Sequence, residues 1–274
     1  TEVEINSPTV KFLLSPGNQD DGASIQAAID AVARMPLDKN GFRGTVLLQA
    51  GTYHIKKSIR IYSSGIVLAG SKGTVLVGEG IDREPLINIK GINNKLSSAE
   101  TMIVDAYVGV GTKQFNIQQT DGFAVGDEVT IRRPSTLAWI KLLGTDHFGG
   151  GVTATGWKPG ERDLFFERKI TAIDGNKITI DHALTTAIDS SYGGAMISKY
   201  EWKGRINNCG VENLTLVSSY ALSNPKDEDH CWNAINMENM EDGWVRRINF
   251  KHFAGAAVAL QSTARRITVE DCIS

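Results

Sequence analysis

Four arginines near the C-terminal end are spaced so that they could converge on one anion. The tetrads Asn213-Leu214-Thr215-Leu216, Arg247-Ile248-Asn249-Phe250 and Arg266-Ile267-Thr268-Val269 each read polar, apolar, polar, apolar, and the last two lie 19 residues apart. If each tetrad is a short strand laid over the previous one, equivalent outward side chains stack about 4.8 Å apart. The alignment then places Asn213, Arg247 and Arg266 in one column and Thr215, Asn249 and Thr268 in the next. It sets Lys251 beside Glu270, with Arg246 and Arg265 at the adjoining turn. Like charges stacked this closely repel unless an anion or acidic side chain lies between them. A sugar carboxylate is such an anion, and a guanidinium grips it with two parallel hydrogen bonds. Local neutralisation by Glu241, Asp242, Glu270 or Asp271 is the competing expectation.

Two further constellations could move protons. Asp227-Glu228-Asp229-His230-Cys231-Trp232 follows Asn224-Pro225 in a polar loop. Carboxylates beside His230 favour its charged form and suit it to acid–base work, and Trp232 offers a flat face to a sugar. The plain alternative is a solvated turn with Trp232 packed inward. Lys251-His252 follows the Arg247 strand, and the 19-residue spacing pairs His252 with Asp271. Such a pair could orient a general base or simply form a hydrogen bond at a corner. His54, His147 and His182 have no companions in the sequence and read as structural. Trp139 to Arg162 reads as a Gly-rich loop whose Trp139, Trp157 and glycines 149–151 form either a subsite wall or part of a packed core.

These residues need elements to hold them. One helix is evident: Ile25, Ala28, Ile29 and Val32 fall at i, i+3, i+4 and i+7, with Asp20, Asp21 and Ser24 as N-cap candidates and Pro36 beyond the end. The apolar period then shortens to two through Thr45–Gln49, Thr52–Ile55, Ile59–Ile61, Ile66–Leu68, Thr74–Val77 and Leu86–Ile89, with polar and glycine turns between. Many short strands after one helix exclude an alternating βαβ sheet. Ala234-Ile235-Asn236-Met237 and Ala257-Val258-Ala259-Leu260 repeat 23 residues apart, interleaved with the tetrads. Two strand families returning at this interval suit a coil that lays down several strands before climbing one layer. The middle lacks that period: Phe123–Ile131 reads as a turn and strand, and Lys169–Ile180 as a hairpin around Asp174-Gly175.

A net charge of −2 gives no bulk attraction to nucleic acid. No stretch reaches the roughly 18 apolar residues of a membrane span. Thr1-Glu2-Val3-Glu4 carries no signal-peptide pattern. Three cysteines, Cys209, Cys231 and Cys272, suit neither a disulfide framework nor a zinc site and read as small buried side chains.

The run Asp20-Asp21-Gly22-Ala23-Ser24-Ile25-Gln26-Ala27-Ala28-Ile29-Asp30-Ala31, followed by Gly44-Thr45-Val46-Leu47-Leu48-Gln49-Ala50-Gly51-Thr52-Tyr53-His54-Ile55, resembles the N-terminal cap of the pectate-lyase-like β-helix superfamily, in the pectate lyase 3 type. Ala50 stands where that family often has Pro, and Gly22-Ala23 interrupt its acidic motif. The resemblance implies an all-β, right-handed parallel β-helix with an N-terminal capping helix and an inserted antiparallel β region. The expected division is 1–101 for the cap and first coils, 102–195 for the insertion and 196–274 for further coils. An apolar last coil at Ser274 leads us to expect a further chain or segment covering it.

The superfamily holds lyases, hydrolases, epimerases and tailspikes, so the site must decide the chemistry. The leading expectation is a secreted or periplasmic enzyme cleaving a uronic-acid polysaccharide by β-elimination. Arg247 and Arg266 would bind the carboxylate, with Asp227 and Trp232 as further substrate contacts; His230, Lys251, His252 and Asp229 would be the catalytic groups. The alternatives are a glycoside hydrolase pairing Asp227, Glu228 or Asp229 with Glu238, Asp242 or Asp271, and a non-catalytic glycan-binding, tailspike-like module. The cofactor is left open: calcium would suit the family, but no clear site stands in the sequence.

Overall fold

A computed structural model describes residues 7–17, 19–80, 82–148, 155–224 and 226–274. The chain divides into two compact units: one formed by Thr1–Asn93 with Gly204–Ser274, the other by Asn94–Lys203. These bounds lie several residues outside 102–195 at both ends.

The first unit is built from parallel pairs. One sheet runs through Val10–Leu14, Gly44–Leu48, Ile66–Gly70, Gly210–Ser218, Met240–Lys251 and Arg265–Glu270. A second runs through Ile59–Ile61, Ile87–Lys90, Asn233–Glu238 and Ala256–Leu260. Register makes columns of like residues: Val46 faces Leu68, Leu68 faces Val211, and Val211 faces Val245. In the second sheet Ile59 faces Ile87, Ile87 faces Ile235, and Ile235 faces Val258. These aliphatic columns share one core with the helix Gly22–Ala33, which contributes Ile25, Ala28, Ile29 and Val32. Each additional buried aliphatic side chain is worth about 1.5–3 kcal/mol, so the columns account for much of the stability of the stack.

The sheet curls because the chain turns at recurring left-handed residues. Asn208, Asp242 and Arg266 form one set, at φ 55°, 53° and 53°; Asn213, Arg247 and Asp271 form another, at 59°, 54° and 52°. The flanking pairs place each set in one column, since Asn207 faces Glu241, Glu241 faces Arg265, and Arg246 faces both Glu212 and Glu270. A residue with positive φ breaks the alternation of the strand and redirects it, and Asn and Asp tolerate that conformation best among residues with a Cβ.

Two sequence expectations are corrected here. Ile267 faces Gly243, while Ile248 faces Leu214, so the spacing between the last two layers is 24 residues and not 19. The 23-residue spacing of Ile235 and Val258 is observed. Asp21 gives the helix no side-chain cap. Its carboxylate instead accepts from Gly17 N at 2.6 Å and His54 N at 3.0 Å, tying the helix entry to the first layer, while Asp20 accepts from Gly22 N at 3.0 Å.

The second unit is antiparallel. Glu128–Arg133 pairs with Leu164–Asp174 and Met196–Glu201, and Leu164–Asp174 turns through Gly175 (φ 56°) into Lys177–Ile180. Its core gathers Ile103, Phe115, Ile117, Val129, Ile131, Ile178 and Ile197. The stretch read as a Gly-rich loop contains a helix, Leu137–Leu142, started by Thr136, whose Oγ1 accepts from Trp139 N. Glycines 149–151 lie outside the described residues.

Candidate carbohydrate-binding site

The strand Gly210–Ser218 ends where the chain leaves one parallel sheet, and it re-enters the other at Asn233. The connecting loop is shaped by Asp227, whose carboxylate accepts from Ala221 N at 2.7 Å and Asp229 N at 3.0 Å. Those backbone donors hold its acidity below the usual carboxylate range. Asp227 therefore organises the loop; Pro225 lies outside the described residues.

Within that frame His230 is buried, and its Nδ1 lies 2.7 Å from the buried Ser218 Oγ, which also reaches Cys231 O at 3.3 Å. With the hydroxyl proton directed at Cys231 O, Nδ1–H donates to Oγ. The ring of Tyr220 stands 6.0 Å from that of His230 and 5.3 Å from that of His252. Two imidazoles thus flank one phenol. Exposed Lys251, next in sequence to His252, faces Val217 and has no ion pair among the described residues.

On the same loop the Nε1–H of Trp232 donates to Glu228 O at 2.9 Å. The Arg83 guanidinium lies 5.4 Å from the Trp232 ring centroid and meets Asp229 Oδ1 at 3.0 Å. An exposed pair of this kind adds little stability, about 0–1 kcal/mol, but it fixes where the indole face points. Trp232 keeps 37% of its surface exposed, so it is not packed inward.

Several expected groupings are absent. Arg247 and Arg266 do not stack. Arg247 Nε donates to Asn213 Oδ1 at 2.6 Å, and Arg266 grips both oxygens of Asp242 at 2.6 and 2.7 Å. Arg246 is held by Glu212 and Arg265 by Glu241. The arginines are met locally because the layers are 34 and then 24 residues long: Glu212 lies beside both Arg246 and Arg247, and Glu241 and Asp242 lie under Arg265 and Arg266. For the same reason Asp271 shares a column with Arg247 and not with His252, and Glu270 faces Arg246 and not Lys251. His54, read as solitary, meets Glu79 at 2.7 Å. Asp229 is committed to Arg83, Glu238 to Lys90 at 2.9 Å and Asp242 to Arg266, which leaves the paired-carboxylate reading short of free partners. Among the described residues no group of three or more His, Cys, Asp or Glu is placed to hold a metal ion.

Tyr220, Ser218 and Arg83 were not anticipated. Tyr220 had a faint signal, an aromatic two residues past a strand end. Arg83 had none, lying 146 residues from Asp229.

The parallel layers have counterparts among solved structures. The structural neighbours are phage tailspike proteins, which are parallel β-helices. The Gp54 tailspike of Acinetobacter baumannii bacteriophage AP22, solved in complex with A. baumannii capsular saccharide, matches 93% of this chain at a TM-score of 0.51 and 12% identity, over 34% of its own length. The tailspike gp61 of Pseudomonas phage phi297 matches at a TM-score of 0.39 and 12% identity, over 92% of this chain and 44% of its own. The tailspike gp49 from Pseudomonas phage LKA1 matches at 0.38 and 16%, over 92% and 49%. The chain thus spans between a third and a half of these tailspikes. No family model matches, and no curated protein matches, so the superfamily reading rests on the cap residues alone. No helix is long and apolar enough to cross a membrane.

Proposed function

We propose that this chain is a right-handed parallel β-helix that binds a surface polysaccharide outside the cell, with the corner around Tyr220 as its contact face. The observation that carries the reading is the placement of Tyr220 between His230 and His252. Aromatic faces stack on the C–H face of a pyranose, and the phenol and the exposed His252 imidazole meet its hydroxyls, while buried His230 supports Tyr220 from within. Trp232, turned outward by Glu228 and Arg83, extends the face. A saccharide-bound tailspike of similar fold supports the substrate class.

A second reading, β-elimination, is favoured by one observation: exposed Lys251 has no counter-ion among the described residues and precedes His252. Lys251 would neutralise a uronate carboxylate and His252 would take the proton from the adjacent carbon. The glycosidic C–O bond at the next carbon then breaks, leaving a C=C bond, and the departing oxygen takes a proton from water to leave as a hydroxyl, the His252 imidazolium returning its own proton to solvent.

Calorimetric titration with a panel of capsular and uronate polysaccharides tests both. Binding that weakens about tenfold or more in Tyr220→Ala supports the first reading; an unbound panel, or an unaffected variant, overturns it. Growth of ultraviolet absorbance from an unsaturated product supports the second; saturable binding without product removes it.

A further inference from the structure

Two adjacent arginines at the end of the strand Glu128–Arg133 have opposite surroundings. Arg132 is forked by Glu100, at 2.7 Å, and Asp163, at 3.2 Å. Arg133 is only 7% exposed, yet its guanidinium has no hydrogen bond or ion pair among the described residues, and its Nη1 is sealed from solvent without a partner. Burial pulls its pKa below the usual arginine value, opposed only by the charge of Asp189. A buried cationic donor left unpaired costs about 1–3 kcal/mol or more, so its retention calls for a ligand.

The surroundings indicate which ligand. Arg133 Cζ lies 4.4 Å from the ring centroid of Trp139. Trp139 and Trp157 are stacked, with centroids 5.9 Å apart and planes 25° apart, and Phe148 meets Trp157 edge-on at 6.0 Å. A second cation, Arg162, lies 5.4 Å over the Trp157 ring. None of these aromatics belongs to the apolar core of their own unit.

The shelf is held in place beforehand. Thr136 Oγ1 accepts from Trp139 N at 3.3 Å and donates to Tyr192 O at 2.8 Å. Trp157 N donates to Thr145 O at 2.8 Å. Buried Ser135 Oγ accepts from Gly160 N at 3.1 Å and Arg162 N at 3.0 Å while donating to Asp163 Oδ1 at 2.9 Å. Fixing the aromatic and cationic groups in advance lowers the ordering cost of binding.

We propose that Trp139, Trp157, Arg133 and Arg162 form a second saccharide site, in the unit Asn94–Lys203, selective for a sugar bearing a carboxylate. The indole edges left uncovered by the stack and by the guanidiniums meet the sugar, and Arg162, with the part of the Arg133 guanidinium other than its sealed Nη1, meets the carboxylate. The site does not depend on the Tyr220 corner and stands if that reading fails.

The test is titration of the full chain, followed by tryptophan fluorescence, with a uronate-containing oligosaccharide and with the same oligosaccharide after carboxyl reduction. The acidic form is expected to bind at least tenfold more tightly. Trp157→Ala should abolish that binding, and Arg162→Ala should narrow the acidic preference severalfold; both variants should keep the circular dichroism of the parent, as Tyr220→Ala should keep binding at this shelf. Equal affinity for the two oligosaccharides, or an unchanged affinity in folded Trp157→Ala, overturns the proposal. So does loss of self-association in sedimentation of Trp157→Ala with no saccharide response, which would make the shelf a protein–protein contact.

Discussion

Arg247 lies directly over Asn213, its Nε donating to Asn213 Oδ1 at 2.6 Å, and both residues adopt left-handed backbone, at φ 54° and 59°. The corner is therefore held by two effects, the tolerance of Asn for positive φ and a bond between layers. They separate by substitution. Asn213→Ala should lose about 1–2 kcal/mol, because a Cβ without the local polar compensation is strained there. Asn213→Gly should be milder, within about 1 kcal/mol of the parent, since it relieves the strain and loses only a partly exposed bond. Urea denaturation of both checks this; a glycine variant as unstable as the alanine one would make the hydrogen bond the principal contribution.

Gly210 is required for close approach rather than for a turn. A Cβ built there would collide with Cε2, Cζ2 and Nε1 of Trp244, which lies over it in the next layer. Trp244 is buried against Val67, Ala69, Phe42 and Leu47 and cannot retreat freely. Gly210→Ala should cost about 1–3 kcal/mol by overpacking, with a shift in tryptophan emission as the ring is displaced. An unchanged unfolding midpoint would mean that the ring repacks.

The left-handed corners also explain how much of the molecule was legible. The helix was readable because Ile25, Ala28, Ile29 and Val32 keep one face, and Ile235 over Val258 was readable because both strands alternate without interruption. The tetrads beginning at Arg247 and Arg266 look equivalent since each starts at a left-handed arginine followed by an apolar residue. They belong to different corners. Arg266 stacks on Asp242, and Arg247 on Asn213, so matching them by pattern shifts the register by five residues and creates an arginine ladder that does not exist. The site suffered likewise: His230 and Trp232 were visible as types in a loop, but Tyr220 joins His230 to His252 only through the layer spacing. Arg133 was hidden because being unpaired is a property of surroundings, and Arg132 beside it has the same side chain.

The cysteines should react in a fixed order. Cys209 is fully buried, which pushes its thiol up to about 11, and burial raises that of Cys231 as well. Cys272 is partly exposed. Since the thiolate is the reactive form, an alkylating reagent at neutral pH should label Cys272 in the native protein and the other two only on unfolding. Mass mapping after a timed pulse checks this. Native labelling of Cys209 as fast as that of Cys272 would mean that the first unit opens locally.

Glu212 should govern acid stability. Burial raises its pKa, but bonds from Ser7 Oγ at 2.6 Å, Arg246 Nε at 2.6 Å and Trp244 Nε1 at 3.0 Å outweigh that, and the net shift is downward from 4.5. Because the folded carboxyl binds its proton less readily than the unfolded one, its contribution is complete above the ordinary glutamate value. It is lost as pH falls toward the depressed folded value. Glu212→Gln removes the carboxylate that meets buried Arg246 at 2.6 Å, so it should lose about 3–5 kcal/mol at pH 7. It should also flatten the fall in stability below about pH 4.5. Parallel denaturation series from pH 7 to the acid limit (about pH 3) measure both effects. If the variant matches the parent in slope across the acid range, the pH dependence arises from other carboxylates, and the Glu212–Arg246 pair contributes only its neutral-pH stability.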